Sequence, residues 1–279
     1  MGCQFSVITR RSEIAVTSPD PALASQVEKL AARLDLAVAQ ACSAATGQYR
    51  LLLRISDQGL ELITPHDPNL NGSVRVDFIS GRTAYRRKQG KKELLLRAVG
   101  CKGKTTPAIM DGTGGLGGDS FILAAAGCRV RIFERQPIIA ALLANGLERA
   151  AAHPETAKIV RRIQLTPGDV VTTLLKMQEC GEQADVVYLD PMFPERRKSA
   201  LVKKELRLLQ LLAPIDSSPD QLLTAAIRAA ANRVVVKRPI KAPVLTGLSP
   251  SHSLRGKTVR FDVYVIGSIP YKRNENRKV

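Results

Sequence analysis

The 279-residue sequence predicts an α/β fold built on a mostly parallel, doubly wound sheet, with a small N-terminal α+β domain in front of it. Three observations carry this. From Thr106 onward, short apolar runs alternate with helical patterns. The first run leads into a glycine loop, Asp111-Gly-Thr-Gly-Gly-Leu-Gly-Gly-Asp119. A later run, Val186-Val-Tyr-Leu, ends on Asp190 and a proline-bracketed turn, Pro191-Met-Phe-Pro194.

The elements follow in order. Strands are expected over 107–111, 128–133, 163–166, 186–190 and 233–237, and helices over 118–127, 137–151, 170–179, 199–212 and 219–231. A last strand, Arg260 to Ile266, follows a loop holding Pro243, Gly247, Pro250 and Gly256, and suits the antiparallel closing edge of a seven-stranded sheet. Residues 1–84 differ in pattern. A helix is expected from Pro21 to Ala45, with Leu23, Val27, Leu30, Leu34 and Val38 at helical spacing. Short strands follow at 51–55, 60–63 and 74–78. A helix over 92–99 then leads to the glycine-loop strand. The boundary falls near Tyr85, dividing the chain into 1–84 and 85–279.

Gly112, Gly114 and Gly117 match G-x-G-x-x-G between a strand and a helix. Glycine lets the backbone turn tightly and lets a ligand approach without meeting a Cβ. The next strand ends at Glu134, placed to accept from ribose hydroxyls. A nicotinamide dinucleotide and S-adenosylmethionine compete for such a unit. The dinucleotide needs a pyrophosphate site at the helix amino terminus, where Asp111 and Asp119 would repel it. The same acids suit the cationic methionine end of S-adenosylmethionine. Asp169, after the third strand, adds an acid where adenine would lie. S-adenosylmethionine is the favoured cofactor.

In an open α/β sheet, ligands bind at the carboxyl ends of the strands. Asp190 stands at such an end, with Pro191 and Phe193 fixed beside it, a setting for a flat ring bearing an amine. The segment resembles the Asp/Asn-Pro-Pro-Tyr/Phe motif of methyltransferases acting on exocyclic amines of nucleobases, with Met192 in place of the second proline.

Formal net charge is +17 and the pI is about 10.1, which argues for a polyanionic partner. Two basic clusters flank the expected site: Arg86, Arg87, Lys88, Lys91 and Lys92, and Arg196, Arg197, Lys198, Lys203 and Lys204. Lys237 and Arg238 end a further strand on the same sheet edge. Together they read as a track for phosphates. Aromatic residues are 4% of the chain, too few for a long single-stranded stacking platform, with Tyr85, Phe193 and Tyr188 as the candidates to touch a base and Tyr188 better placed in the core.

No apolar run is long enough to span a membrane. Five scattered cysteines without C-x-x-C fit a reducing cytoplasm, and three dispersed histidines show no metal-ligand spacing, so no metal is expected. Met1-Gly-Cys-Gln-Phe-Ser6 matches the myristoylation pattern, but the match is short and nothing else suggests an anchor.

Several long motifs fall in one order: Asp111 to Leu143, Val186 to Gln210, Val234-Val-Val-Lys-Arg-Pro239 and Arg260-Phe-Asp-Val-Tyr264. Over residues 74–266 the chain resembles the bacterial small-subunit (16S) ribosomal RNA guanine-N(2)-methyltransferase J family, with residues 1–70 resembling it less. The resemblance implies a Rossmann-like class I methyltransferase sheet. It also implies methyl transfer from S-adenosylmethionine to the exocyclic amine of one guanosine in ribosomal RNA or the small ribosomal subunit. Its cofactor positions fall on Gly118, Asp119, Glu134, Arg135, Asp169, Val170 and Asp190. The family has a basic residue where Gly118 stands and small hydroxyl residues where Asp169 and Val170 stand. Two other readings stay open: amine methylation of another nucleic acid or of protein, and a non-catalytic RNA-binding protein with a relict cofactor pocket.

Overall fold

The computed structural model describes residues 11–40, 48–66, 73–90, 93–101, 106–191, 211–212, 219–245 and 248–267. The chain forms two compact units. One takes its described residues from Met1–Ile79, Gln136–Ala157 and Phe193–Ile215, the other from Ser80–Arg135, Lys158–Met192 and Asp216–Val279.

The first unit carries a five-stranded sheet, β1 (Ile14–Thr17), β2 (Ala37–Val38), β3 (Leu51–Ser56), β4 (Gly59–Ile63) and β5 (Ser73–Val74), in the order β2-β1-β3-β4-β5. β1 was not legible as a strand. Its four residues are all buried, so it shows no alternation, and it pairs in parallel with β2 and β3. The helix expected over 21–45 is shorter: α1 runs Ala24–Leu34. It stops because Asp35 turns left-handed, with φ 54°, and its N–H caps the carbonyls of Ala31 and Ala32. Val38, the last residue of the expected apolar stripe, lies in β2 instead and is exposed. The strand expected over 74–78 shortens to β5, although Val76 and Phe78 are buried. A long helix, α5 (Pro137–Ala152), belongs to this unit and packs on β4. Its Asn145 side chain accepts the Leu60 backbone N–H at 2.9 Å.

The second unit is built on seven strands: β6 (Ala108–Asp111), β7 (Arg129–Glu134), β8 (Ile163–Pro167), β9 (Ala184–Leu189), β10 (Ala230–Pro239), β11 (His252–Arg255) and β12 (Val259–Val265). Their order is β11-β12-β10-β9-β6-β7-β8. β10, β9, β6, β7 and β8 run parallel; β12 is antiparallel to both β10 and β11. Chain order reverses at β6, between β7 and β9, so the carboxyl ends of β6 and β9 flank the switch point where ligands bind. The core strands read as nearly continuous apolar runs, as strands of a covered parallel sheet do. β11 was missed: its residues, His-Ser-Leu-Arg, are polar or half-buried and carry little pattern.

Helices α2 (Gly81–Gln89), α3 (Leu94–Ala98), α4 (Gly118–Ala125), α6 (Ala157–Val160), α7 (Val170–Cys180) and α8 (Pro219–Ala229) complete the described elements, with α6 opening in the first unit. α4 packs on β7 and β8, α8 on β9 and β10, and α3 on β11 and β12. Of the helix expected over 199–212, only Leu211 and Leu212 lie within the described residues, and both are helical. The segment α2 reads in sequence only as a basic run. It is a helix none the less, closed by Gly90 at φ 52°.

A buried cation holds the far edge of the sheet. Arg260 is 6% exposed and pairs with Asp262 at 2.9 Å, while its Nη1 donates to the carbonyls of Ile240 and Ala242, both at 2.7 Å. Arg238, on the neighbouring strand, donates to the Pro243 carbonyl at 2.7 Å. These bonds anchor the chain where it leaves β10, just past Lys237.

Candidate active site

The glycine loop is shaped by close packing. A Cβ on Gly114 would collide with the Ile132 side chain and come within 3.0 Å of the Phe133 carbonyl; on Gly112 it would meet Leu189 at 2.9 Å. Gly117, which caps α4, has φ 74°. A Cβ on Gly118 would meet nothing within 4 Å. Glu134 closes the cradle: its Oε2 accepts the Gly115 N–H at 2.7 Å, and it is 9% exposed. Arg135 follows it. Asp169 caps α7 through the Val171 N–H at 2.9 Å, and Val170 behind it is buried.

Asp111 is buried and accepts from the Ser120 hydroxyl and from the Thr113 N–H at 3.0 Å. Burial pushes its carboxyl up to about 7, against those two bonds, and neighbouring Asp119 and Asp190 push the same way. Thr113 in turn ties the loop to the end of β9, its Oγ1 accepting the Asp190 N–H at 2.6 Å. The Gly112 N–H donates to the Tyr188 carbonyl at 3.0 Å.

Asp119 is the hub. It accepts Arg86 Nη1 at 2.6 Å, the Tyr188 hydroxyl at 2.6 Å and Lys237 Nζ at 2.8 Å. Burial alone would raise its carboxyl, but Lys237 and Arg86 outweigh that and hold it well below the usual carboxylate range. Lys237 Nζ also reaches Asp190 Oδ2 at 2.7 Å. Arg86 continues outward to Glu93, at 2.9 and 3.1 Å. One chain of charges therefore runs Glu93–Arg86–Asp119–Lys237–Asp190. The Tyr188 phenol is driven far above its ordinary range by burial and the surrounding carboxylates, so it serves as a fixed donor.

Three of the expected basic residues have partners within the protein. Arg86, Lys237 and Arg238 were expected on the phosphate track. Arg86 and Lys237 are engaged with buried acids, and Arg238, 3% exposed, is committed to a backbone carbonyl. The physical reason is that converging acids at a low-dielectric sheet edge need cations among them. Asp119, expected at the cofactor, also has the cations Arg86 and Lys237 beside it. Of the other residues expected to meet RNA, Lys88 is exposed and Arg87 half-buried on α2, and Tyr85 is 65% exposed. Pro191 is buried next to Asp190. Phe193, Lys91, Lys92, Arg196, Arg197, Lys198, Lys203 and Lys204 lie outside the described residues. Sequence reasoning missed Thr113, Ser120 and Glu93, and it read Tyr188 as core without its bond to Asp119. Five acids in the ligand-binding motifs, Asp111, Asp119, Glu134, Asp169 and Asp190, were a signal that partners must exist, but not which ones.

The residues suit S-adenosylmethionine. Gly112 and Gly114 let the loop pack tightly against Leu189, Ile132 and Phe133, and Glu134 stands at the carboxyl end of β7 with Asp169 just past that of β8. The strand order with its antiparallel β12 and the acids at this edge define a class I, S-adenosylmethionine-dependent methyltransferase. Residues 29–266 match the family model described as "Putative SAM-dependent methyltransferase". A crystal structure of the SAM-dependent methyltransferase NGO1261 from Neisseria gonorrhoeae superposes with a TM-score of 0.71 at 32% identity, covering 91% of this chain and 96% of that one. The chain belongs, more narrowly, to the ribosomal RNA small subunit methyltransferase J family. A relative of that name from Thioalkalivibrio sulfidiphilus is 46% identical over 259 residues, 92% of this chain and 98% of its own length. Another, from Pseudomonas fluorescens strain Pf0-1, is 43% identical over 253 residues, 90% of this chain and 94% of its own. Among the described residues no helix is long and apolar enough to cross a membrane.

Proposed function

We propose that this enzyme methylates the exocyclic N2 amine of one guanosine in small-subunit ribosomal RNA, with Asp190 and Pro191 receiving the amine. The observation that carries this reading is the placement of Asp190. It ends β9 beside the glycine loop, its backbone is pinned by Thr113, and its side chain is held by Lys237 yet stays 40% exposed. Bound S-adenosylmethionine supplies an electrophilic methyl group.

The amine is a poor nucleophile because its lone pair is delocalised into the ring. The Asp190 carboxylate and the Pro191 carbonyl accept hydrogen bonds from its two N–H groups, which orients the nitrogen and favours pyramidalisation. The N–C bond would form as the methyl–sulfur bond breaks, and the strongly acidic methylated amine would then release one proton to solvent. Such positioning and charge stabilisation dominate over base strength. Phe193, which sequence places two residues past Pro191, is the candidate to stack on the ring. Glu134 holds the ribose, Asp169 the adenosine end and Asp111 the methionine end of the cofactor.

Phosphate contacts fall to Arg87 and Lys88 on α2 and to the lysines and arginines of 91–92 and 196–204, with Tyr85 exposed beside the first group. A base buried in a stem must be splayed out to reach the turn, at a cost of about a few kcal/mol. The substrate places the enzyme in the cytoplasm, and the methyltransferase sheet lies within residues 85–279, although Gln136–Ala157 of that span group with Met1–Ile79 in the other unit.

The test is Asp190→Ala in single-turnover methyl transfer, with saturating S-adenosylmethionine and undermethylated small-subunit RNA. Turnover should fall by about two to three orders of magnitude while RNA affinity changes little. Activity within about threefold of wild type would refute the assignment. Labelled methyl found in DNA or protein instead of RNA would refute the substrate.

A further inference from the structure

We propose that Lys237 is a positioning residue for methyl transfer: clamped between Asp119 and Asp190, it keeps Asp190 ionised and fixes one carboxylate oxygen, so that the other is offered to the target amine. This inference rests on the reading of Asp190 above and deepens it.

Three acids converge at this sheet edge, Asp111 from β6, Asp119 from the first turn of α4 and Asp190 from the end of β9. Carboxylates sharing a poorly solvated site push one another toward protonation. Asp111 shows the result where the partners are neutral. It is bonded to a hydroxyl and a backbone N–H, and burial raises it to about 7. Asp190, though its side chain stays 40% exposed, is also raised, by partial desolvation and by Asp119, with Lys237 as the main opposing charge. A protonated Asp190 would present a hydroxyl to an amine hydrogen and lose its role as acceptor. The ammonium 2.7 Å from Oδ2 prevents this.

The geometry suits a fixed strut better than a surface contact. Lys237 Nζ lies between two carboxylates at 2.7 and 2.8 Å, with its side chain 25% exposed. Its strand is anchored immediately afterwards by Arg238 on the Pro243 carbonyl and by Arg260 on the carbonyls of Ile240 and Ala242. Asp119 is fixed from its other side by Arg86 and Tyr188. The groups facing Asp190 are thus Lys237 and Arg238 from β10, Asp119 from α4, Asp111 from β6 and Tyr188 from β9. Of the two cations, Lys237 is the one in contact.

The experiment is a pH–rate profile of single-turnover methyl transfer from pH 6 to 9, with saturating S-adenosylmethionine and RNA, on wild type, Lys237→Met and Lys237→Arg. Lys237→Met should slow transfer at pH 7 by about tenfold or more and move the acid limb upward by about one pH unit, with activity recovering toward pH 9. Lys237→Arg, which keeps the charge, should hold the limb near that of wild type. RNA affinity should be unchanged in both. If Lys237→Met does not fold, Lys237→Gln removes the same charge and is judged by the same limb. An unmoved limb overturns the proposal, and so does weakened RNA binding with an unmoved limb, which makes Lys237 a phosphate contact. Asp190→Ala run alongside separates the two levels. If it stays active, the reading of Asp190 fails; if it is inactive while Lys237→Met keeps the wild-type limb, only the role of Lys237 fails.

Discussion

Replacing Asp119 with alanine should destabilise the protein without the cofactor being involved. The carboxylate accepts three hydrogen bonds, from Arg86, Tyr188 and Lys237, at 2.6, 2.6 and 2.8 Å. Bonds to a charged group contribute about 1.5–3 kcal/mol each, so the simple sum is about 4.5–9 kcal/mol. Three effects reduce it. Arg86 keeps both bonds to Glu93, and Lys237 keeps Asp190. The variant no longer buries a carboxylate, and repulsion on Asp111 and Asp190 is relieved. The net cost should therefore lie near about 3 kcal/mol, the low end for breaking a buried pair. For a chain of this size that lowers Tm by about 6–12 °C. Asp119→Asn keeps the volume and one acceptor and should lose about half as much. Because the folded Asp119 carboxyl is held below its ordinary value, its stabilisation is complete above about pH 4 and is lost only as pH falls through the lowered value. Thermal melts at pH 7.5 without S-adenosylmethionine measure the difference. An alanine variant melting within about 1 °C of wild type would show that the charge network adds nothing to stability.

Two further outcomes follow from the cradle. Glu134→Ala should weaken S-adenosylmethionine binding by roughly 1.5–3 kcal/mol in calorimetry, and an unchanged affinity in a folded variant would remove Glu134 from the ribose site. Asp111→Asn should flatten the pH dependence of stability. With the folded carboxyl at about 7, the native chain binds a proton that the unfolded chain releases between about pH 4 and 7, so wild-type stability falls as pH rises across that window. Urea unfolding at pH 5 and pH 8 should show wild type losing stability relative to the asparagine variant, and parallel curves would contradict a proton held on Asp111.

How legible the fold was depended on how local its causes were. The strands of the large sheet fall within a few residues of expectation, because long apolar runs bounded by glycine, proline and acid have few other solutions. α1 was overextended because the stripe Val27, Leu30, Leu34 continues through Val38 in sequence, while the left-handed turn at Asp35 stops the helix four residues after Ala31. β1 and β11 escaped notice because each owes its conformation to its neighbours: β1 lies between β2 and β3, and β11 follows the antiparallel edge of β12.

The amino-acid sequence by itself determined the class of chemistry. The glycine spacing, the acids that end β6, β7 and β9, and the proline-bracketed turn are short-range features, and each states its geometry without help from distant residues. Which cation meets which acid was decided only by tertiary structure. Arg86, Lys237 and Arg238 carry the same charge as the exposed Lys88, and in a chain with net charge +17 nothing local separates them. Folding brings Arg86 to Asp119 across 33 residues of chain from one side, and Lys237 across 118 from the other. At that sheet edge, burial makes an unpaired carboxylate costly, and that cost sets Arg86 and Lys237 against Asp119 and Asp190.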